Sequence, residues 1–297
     1  MYGICLLHML HSGLFMRRGL DNLMSTCVVG FVFISGWFGI RFTWQKVFKL
    51  VVIGVYCAIV AGVFHMIVVS DSFSCDALAK ICWWNLKCYW FLWAYIGLML
   101  LAPLVEPLFA TKSNIKVVLP ALLMVFGWSY AATTVPVLKE YLPSANGFGP
   151  TTVLTLFGIY LAARWFAVSG WLDKLPWKWL AIIGLIGSAF SWIGFYHYHS
   201  PFALMVAVAG FGLFYRLRLP KWLGSVCVFL SPSLFSVYLL HTTGVGLELM
   251  KRMASWYSEV GCVAVAYALL VFSVCIMLDM PRRSVVEMYM RLRGRNA

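Results

Sequence analysis

Cys27-Val28-Val29-Gly30-Phe31-Val32-Phe33-Ile34-Ser35-Gly36-Trp37-Phe38-Gly39-Ile40-Arg41 is the stretch that decides the class of this chain. It is an apolar run with a small-residue pair, Ser35 and Gly36, and it stops at an arginine that Lys46 and Lys49 follow within two helical turns. An uncharged run that ends on cations reads as a membrane helix meeting a basic boundary. Inside such a helix a Ser-Gly pair either serves ordinary helix packing or lets a second backbone approach closely. The cations either report only the side of the bilayer on which the loop lies or offer charge-assisted hydrogen bonds to phosphate oxygens.

Composition extends this reading to the whole chain. Of the 297 residues 63% are hydrophobic and 11% charged, and the mean hydropathy is +0.88. No ordinary soluble domain has that balance, so the fold class is all-α, a polytopic transmembrane helix bundle. The 14 Trp and 14 Tyr suit the two interfacial belts. No soluble catalytic domain and no cleaved signal peptide is visible.

The apolar runs predict about ten membrane segments, near 2–16, 23–40, 50–69, 89–109, 117–135, 150–168, 178–196, 200–215, 223–244 and 260–279. The first is anomalous: its fifteen residues reach only about 22 Å as a helix, short of the hydrocarbon thickness, so it reads as truncated, with its true start further upstream. The domain organisation predicted is one integral membrane domain over 1–281 and a basic tail over 282–297.

Orientation follows from the lysines and arginines. If the second segment ends in the cytoplasm, sixteen of the 23 lie on that side, in the loops carrying Arg41, Lys46 and Lys49, Lys112 and Lys116, Arg164, Lys174 and Lys178, Arg216, Arg218 and Lys221, and in the tail. Seven lie on the other, so the positive-inside rule places both termini in the cytoplasm. The net charge of +13 is then mostly a topology signal, strengthened by contact with anionic lipid headgroups. The cations are dispersed among loops, which excludes a nucleic-acid-binding face.

The nine cysteines carry little chemistry. Six lie in apolar segments as packing residues; Cys75, Cys82 and Cys88 sit in or beside the outer loop 71–88, where one disulfide is allowed and would leave an odd thiol. No Cys/His spacing supports a metal site. Trp83, Trp84, Tyr89, Trp90 and Trp93 around that loop form either an interfacial aromatic shelf or a platform for stacking a sugar ring.

Ionisable groups within apolar segments are the more informative residues, because the bilayer should exclude them. His65, Glu106, Arg164 and Asp279 lie near predicted boundaries and are expected to snorkel to the headgroups. His8, in the first segment, and His241, toward the outer end of the ninth, are less easily set aside. A neutral imidazole in the membrane either makes a structural hydrogen bond or takes a proton from a hydroxyl nucleophile. Two at similar depth, opposite a basic boundary, favour the chemistry.

Four stretches, in order, carry a resemblance. Ile34-Ser35-Gly36-Trp37-Phe38-Gly39-Ile40-Arg41 resembles the second-helix signature of the membrane acyltransferase 3 family, in particular its bacterial polysaccharide O-acetyltransferase branch. Tyr89-Trp90-Phe91 with Ala94-Tyr95-Ile96 and Ala102-Pro103 is similar to that family's aromatic fourth segment. Gly158-Ile159-Tyr160-Leu161-Ala162-Ala163-Arg164 resembles its "YLIARY" run, and Ser233-Leu234-Phe235-Ser236-Val237-Tyr238-Leu239-Leu240-His241 its "S-F-A-V-Y-L-L-H" run.

The resemblance implies an O-acetyltransferase of the bacterial plasma (inner) membrane, moving an acetyl group from acetyl-CoA to a hydroxyl of a cell-envelope glycan or lipid-linked sugar. No cofactor would be bound, and acetyl-CoA would be a substrate. The family's first-helix histidine maps onto His8, with His11 as the fallback, and its basic motif onto Arg41, Lys46 and Lys49. An arginine that the family carries ahead of the histidine would precede Met1, which reads as a late start or a degenerate copy. Where many relatives have Asn, this chain has Glu106. The expected site is therefore His8 and His241 for catalysis, Arg41, Lys46 and Lys49 for the donor, and Ser35, Trp90, Tyr95 and Tyr238 for the acceptor. Two further expectations from other classes are a transporter or flippase for a glycan or small solute, and a catalytically inactive remnant of the acyltransferase fold. Against the transporter, no internal repeat and no matching pair of broken segments is visible.

Overall fold

The computed structural model of the protein describes residues 15–68, 74–109, 120, 150–194, 198, 200–243 and 261–294. Among the described residues every regular element is helical: α1 (Phe15–Phe38), α2 (Trp44–Val68), α3 (Cys75–Cys88), α4 (Trp90–Val105), α5 (Pro150–Ser169), α6 (Trp171–Lys174), α7 (Trp177–Trp192), α8 (Pro201–Arg216), α9 (Lys221–Leu230), α10 (Leu234–His241) and α11 (Gly261–Gly294). Short 3₁₀ turns follow α4 at Glu106–Phe109 and join α9 to α10 at Ser231–Ser233.

Among the described residues, three stretches are long and apolar enough to cross a membrane, Trp44–Ile67, Trp90–Phe109 and Lys221–His241, and Asn22–Phe38, Val153–Ser169 and Pro201–Arg216 are shorter apolar helices. Large apolar side chains stand exposed along them, among them Ile67, Leu104, Phe214 and Val228. In water that surface would be unfavourable, whereas against acyl chains it is the expected one. The expected segments near 2–16 and 117–135 lie outside the described residues apart from their margins.

The chain divides into two compact units. The larger takes its helices from Gly13–Phe48 and Trp90–Leu217, and α1 is its centre, packed on α5, α7 and α8, with α4 against α5 and α7 against α8. Close approach of backbones sets this packing. A Cβ on Gly36 would lie 2.6 Å from Ala163 Cβ and 2.8 Å from the Tyr160 carbonyl oxygen, and one on Gly187 would lie 2.9 Å from the Phe202 carbonyl oxygen. Between helices in lipid, where hydrophobic burial contributes little, such small-residue contacts supply the attraction. Breaks between helices follow ordinary chemistry. Pro176 and Ser200 precede α7 and α8, and the Ser200 hydroxyl accepts from the Phe202 amide at 3.2 Å. The Arg216 guanidinium donates to the Leu172 and Asp173 carbonyls, which α6 is too short to satisfy itself.

The smaller unit takes its helices from Lys49–Tyr89 and Arg218–Ala297. Here α3 folds back on α2, where the lack of a side chain on Gly62 admits Leu78 and Cys82. The Tyr56 hydroxyl donates to the Leu278 carbonyl at 2.6 Å, tying α2 to α11. The stretch read from the sequence as an outer loop, 71–88, is thus largely the helix α3, with an Asp76–Lys80 ion pair one turn apart and Trp83 and Trp84 exposed on its surface. The expectation that Asp279 snorkels from a segment end is corrected as well: α11 runs on to Gly294, and Asp279 is fully buried within it. The Arg282 side chain holds both its carboxylate oxygens, at 2.7 and 2.8 Å.

Candidate functional site

The richest polar arrangement in the larger unit lies where α1 ends. Gly36, placed against α5, brings that helix under the last turn of α1. Three residues on, Gly39 takes a φ of +74°, the left-handed conformation with which helices commonly end and which a Cβ would strain. Its amide donates back to the Gly36 carbonyl at 3.2 Å. The chain then turns through Ile40 and Arg41 into α2.

Glu106, Tyr160 and Arg164 hold that turn from below. Pro103 inside α4 and Pro107 just past its end convert the helix to a 3₁₀ turn that starts at Glu106. Arg164 Nη2 donates to Glu106 Oε2 at 2.9 Å, and Arg164 Nη1 donates to the Trp37 carbonyl at 3.3 Å, one of the terminal carbonyls for which a helix has no donor of its own. The Tyr160 hydroxyl donates to Glu106 Oε1 in a short bond and accepts from the Ile40 amide at 3.2 Å. The Arg164 side chain is 17% exposed and that of Glu106 32%. These two residues do not snorkel separately, as expected from their boundary positions; they neutralise each other. The signal that could have found them is two opposite charges in apolar segments, each able to offset the other's cost.

Arg41, Lys46 and Lys49 all stand exposed. The Lys46 ammonium donates to the Arg41 carbonyl at 2.7 Å, which brings the first two together across the turn. Lys49 follows one turn further along α2. Exposed cations on and just after the turn leave a positive surface that an anion can meet.

Ser35 and Tyr95 also come together, the Tyr95 hydroxyl donating to Ser35 Oγ at 3.1 Å while Ser35 donates to the Phe31 carbonyl at 3.1 Å. The Tyr95 ring packs on Phe31 and Phe91, and Trp90 stacks on Tyr198 at 5.7 Å. His241 and Tyr238 belong to the smaller unit, where both are buried at the end of α10. Their rings meet edge to face at 5.8 Å. His241 Nδ1 lies 2.7 Å from the Val237 carbonyl oxygen, which can only accept, so Nδ1 carries a proton and donates it to that carbonyl. His8 lies outside the described residues. Among the described residues no cluster of His, Cys, Asp and Glu suits a metal ion.

A family model for an acyltransferase domain, that of acyltransferase 3, matches residues 1–280. The chain belongs to the acyltransferase 3 family. Neither a curated protein nor a solved structure gives a significant match. Membership of an acyltransferase family, together with the long apolar helices, makes this chain a membrane acyltransferase. The polar end of α1 is, in this acyltransferase 3 protein, where the helix carrying Ser35 and Gly36 hands over to the basic turn.

Proposed function

We propose that this acyltransferase 3 protein moves an acetyl group from acetyl-CoA to a hydroxyl of a cell-envelope glycan or lipid-linked sugar. The observation that carries the reading is the match of an acyltransferase domain over residues 1–280, with a paired cationic turn at Arg41 and Lys46 on the helix end that carries the family-like signature. In this reading Arg41, Lys46 and Lys49 hold the phosphates of the donor by charge-assisted hydrogen bonds on the cytoplasmic face. The acceptor hydroxyl oxygen attacks the thioester carbonyl carbon, the C–S bond breaks, and coenzyme A leaves as the thiol. His8 takes the hydroxyl proton and returns it to the departing sulfur. His241, with Tyr238 beside it, orients His8, and Ser35, Trp90 and Tyr95 contribute to holding the acceptor. The bacterial plasma membrane is the proposed location, with both termini cytoplasmic.

The test supplies acetyl-CoA labelled in the acetyl group to membranes carrying the wild type or His8→Ala. Label on extracted envelope glycan with the wild type, falling at least about 100-fold in the variant, is the expected outcome for loss of a general base. Label in neither refutes the proposed reaction, and equal label in both removes His8 from the mechanism.

A further inference from the structure

Arg41 is an exposed side chain on the turn and Lys46 one in the first turn of α2 behind it, and such a turn is a poor place from which to hold a ligand unless its backbone is fixed. Here the fixing groups are identifiable. Gly39 lets the chain leave α1 in a conformation that other residues resist. A Cβ there would lie 3.4 Å from Arg164 Cζ and 3.6 Å from Glu106 Oε1, so the ion pair sits directly beneath the reversal. Arg164 grips the carbonyl of Trp37 on the near side of Gly39, and Tyr160 grips the amide of Ile40 on the far side. Glu106 links the two grips by accepting from both. Two α5 residues one turn apart thus hold the backbone on both flanks of a single glycine, and Arg41 is the next residue after the second grip.

We infer that Glu106, Tyr160 and Arg164 are positioning residues, a clamp that presets the turn at residues 37–41 and so aims Arg41 and Lys46 at a phosphate-bearing acyl donor. This rests on the donor role proposed above for those two cations. None of the three clamp residues needs to touch the donor: the carboxylate and guanidinium neutralise each other, and the phenol is committed on both sides. Their contribution is to have ordered the turn before the ligand arrives, which lowers the entropy lost on binding.

The experiment uses the full chain in lipid nanodiscs, with coenzyme A and acetyl-CoA as titrants and amide hydrogen exchange read over residues 37–43. Arg41→Ala with Lys46→Ala tests the donor site itself and should weaken coenzyme A binding at least about tenfold. Tyr160→Phe removes one hydroxyl and keeps the ring, and Glu106→Gln keeps the shape while removing the charge. Each should weaken coenzyme A binding roughly three- to fivefold, as expected for one lost hydrogen bond, and speed exchange at residues 37–43. Donor KM should rise by the same factor with kcat and acceptor KM unchanged, a split that a general loss of stability does not produce. Wild-type binding by Arg41→Ala with Lys46→Ala refutes the donor site, and the clamp's purpose falls with it. A weakened double variant beside Tyr160→Phe and Glu106→Gln proteins that bind like the wild type overturns the clamp alone. Weakened binding without faster exchange at residues 37–43 overturns it as well, because the turn would not be the route.

Discussion

Arg164 shows what a single side chain does in a membrane helix. Its guanidinium meets a carboxylate, a backbone carbonyl and, at 5.8 Å, the face of Phe109, and so carries its charge where an unmatched cation would be expelled. Arg164→Ala leaves Glu106 with no counter-charge. The expected loss is roughly 2 kcal/mol, below the range for a fully buried pair because both side chains keep some exposure. Removing both charges, in Arg164→Met with Glu106→Gln, should recover more than half of it. Unfolding in detergent, followed by intrinsic fluorescence across the single and double variants, measures the coupling. Equal losses in both would show that the charges do not compensate each other. Both residues were visible in the sequence as misfits in apolar surroundings; their pairing was not, because it spans 58 positions and is set by the packing of Gly36 on α5.

At the scale of elements, the sequence was most legible where hydrophobicity runs unbroken. The run ending at Phe38 and the run beginning after Lys49 lie within α1 and α2, and the small-residue pair contains the point at which α5 touches α1. Legibility failed where charge interrupts a helix without ending it. Helical hydrogen bonds are indifferent to side-chain polarity, so α11 continues past Asp279, Arg282 and Arg283. The same holds for α3, whose Ser74 start and Asp76–Lys80 pair were the available signals. Its helical form settles the disulfide question among its three cysteines. Cys75 and Cys82 are about 10 Å apart along the axis and Cys82 and Cys88 about 9 Å, beyond the reach of a disulfide. All three are free. Cys75 and Cys88 are exposed, whereas burial pushes the Cys82 thiol up from its ordinary value. A maleimide at neutral pH should therefore modify Cys75 and Cys88 first and Cys82 several-fold more slowly, read by peptide mass. Faster reaction at Cys82 than at both ends would refute the packing of α3 on α2.

For the whole molecule, composition alone specified a helical membrane protein, and the family match agrees with that class. Which charges sit inside the helices and who neutralises them needed three dimensions. Among the described residues, each unit holds an acid in an apolar stretch that an arginine answers: Glu106 with Arg164 in the larger, Asp279 with Arg282 in the smaller. Asp279→Asn should destabilise the smaller unit by leaving Arg282 unmatched, and the loss should register at Tyr56 and Cys57, whose bonds reach α11 and α10. Hydrogen exchange confined to residues 50–60 and 231–241 is the expected readout, and uniform change across both units would contradict it. The two pairs also differ in when they can form. Asp279 and Arg282 are three residues apart and leave the ribosome almost together. Arg164 follows Glu106 by 58 residues, about 3 to 12 s of translation at ordinary rates, so during biosynthesis the nascent helix bearing Glu106 must wait, its carboxylate unanswered, until α5 emerges.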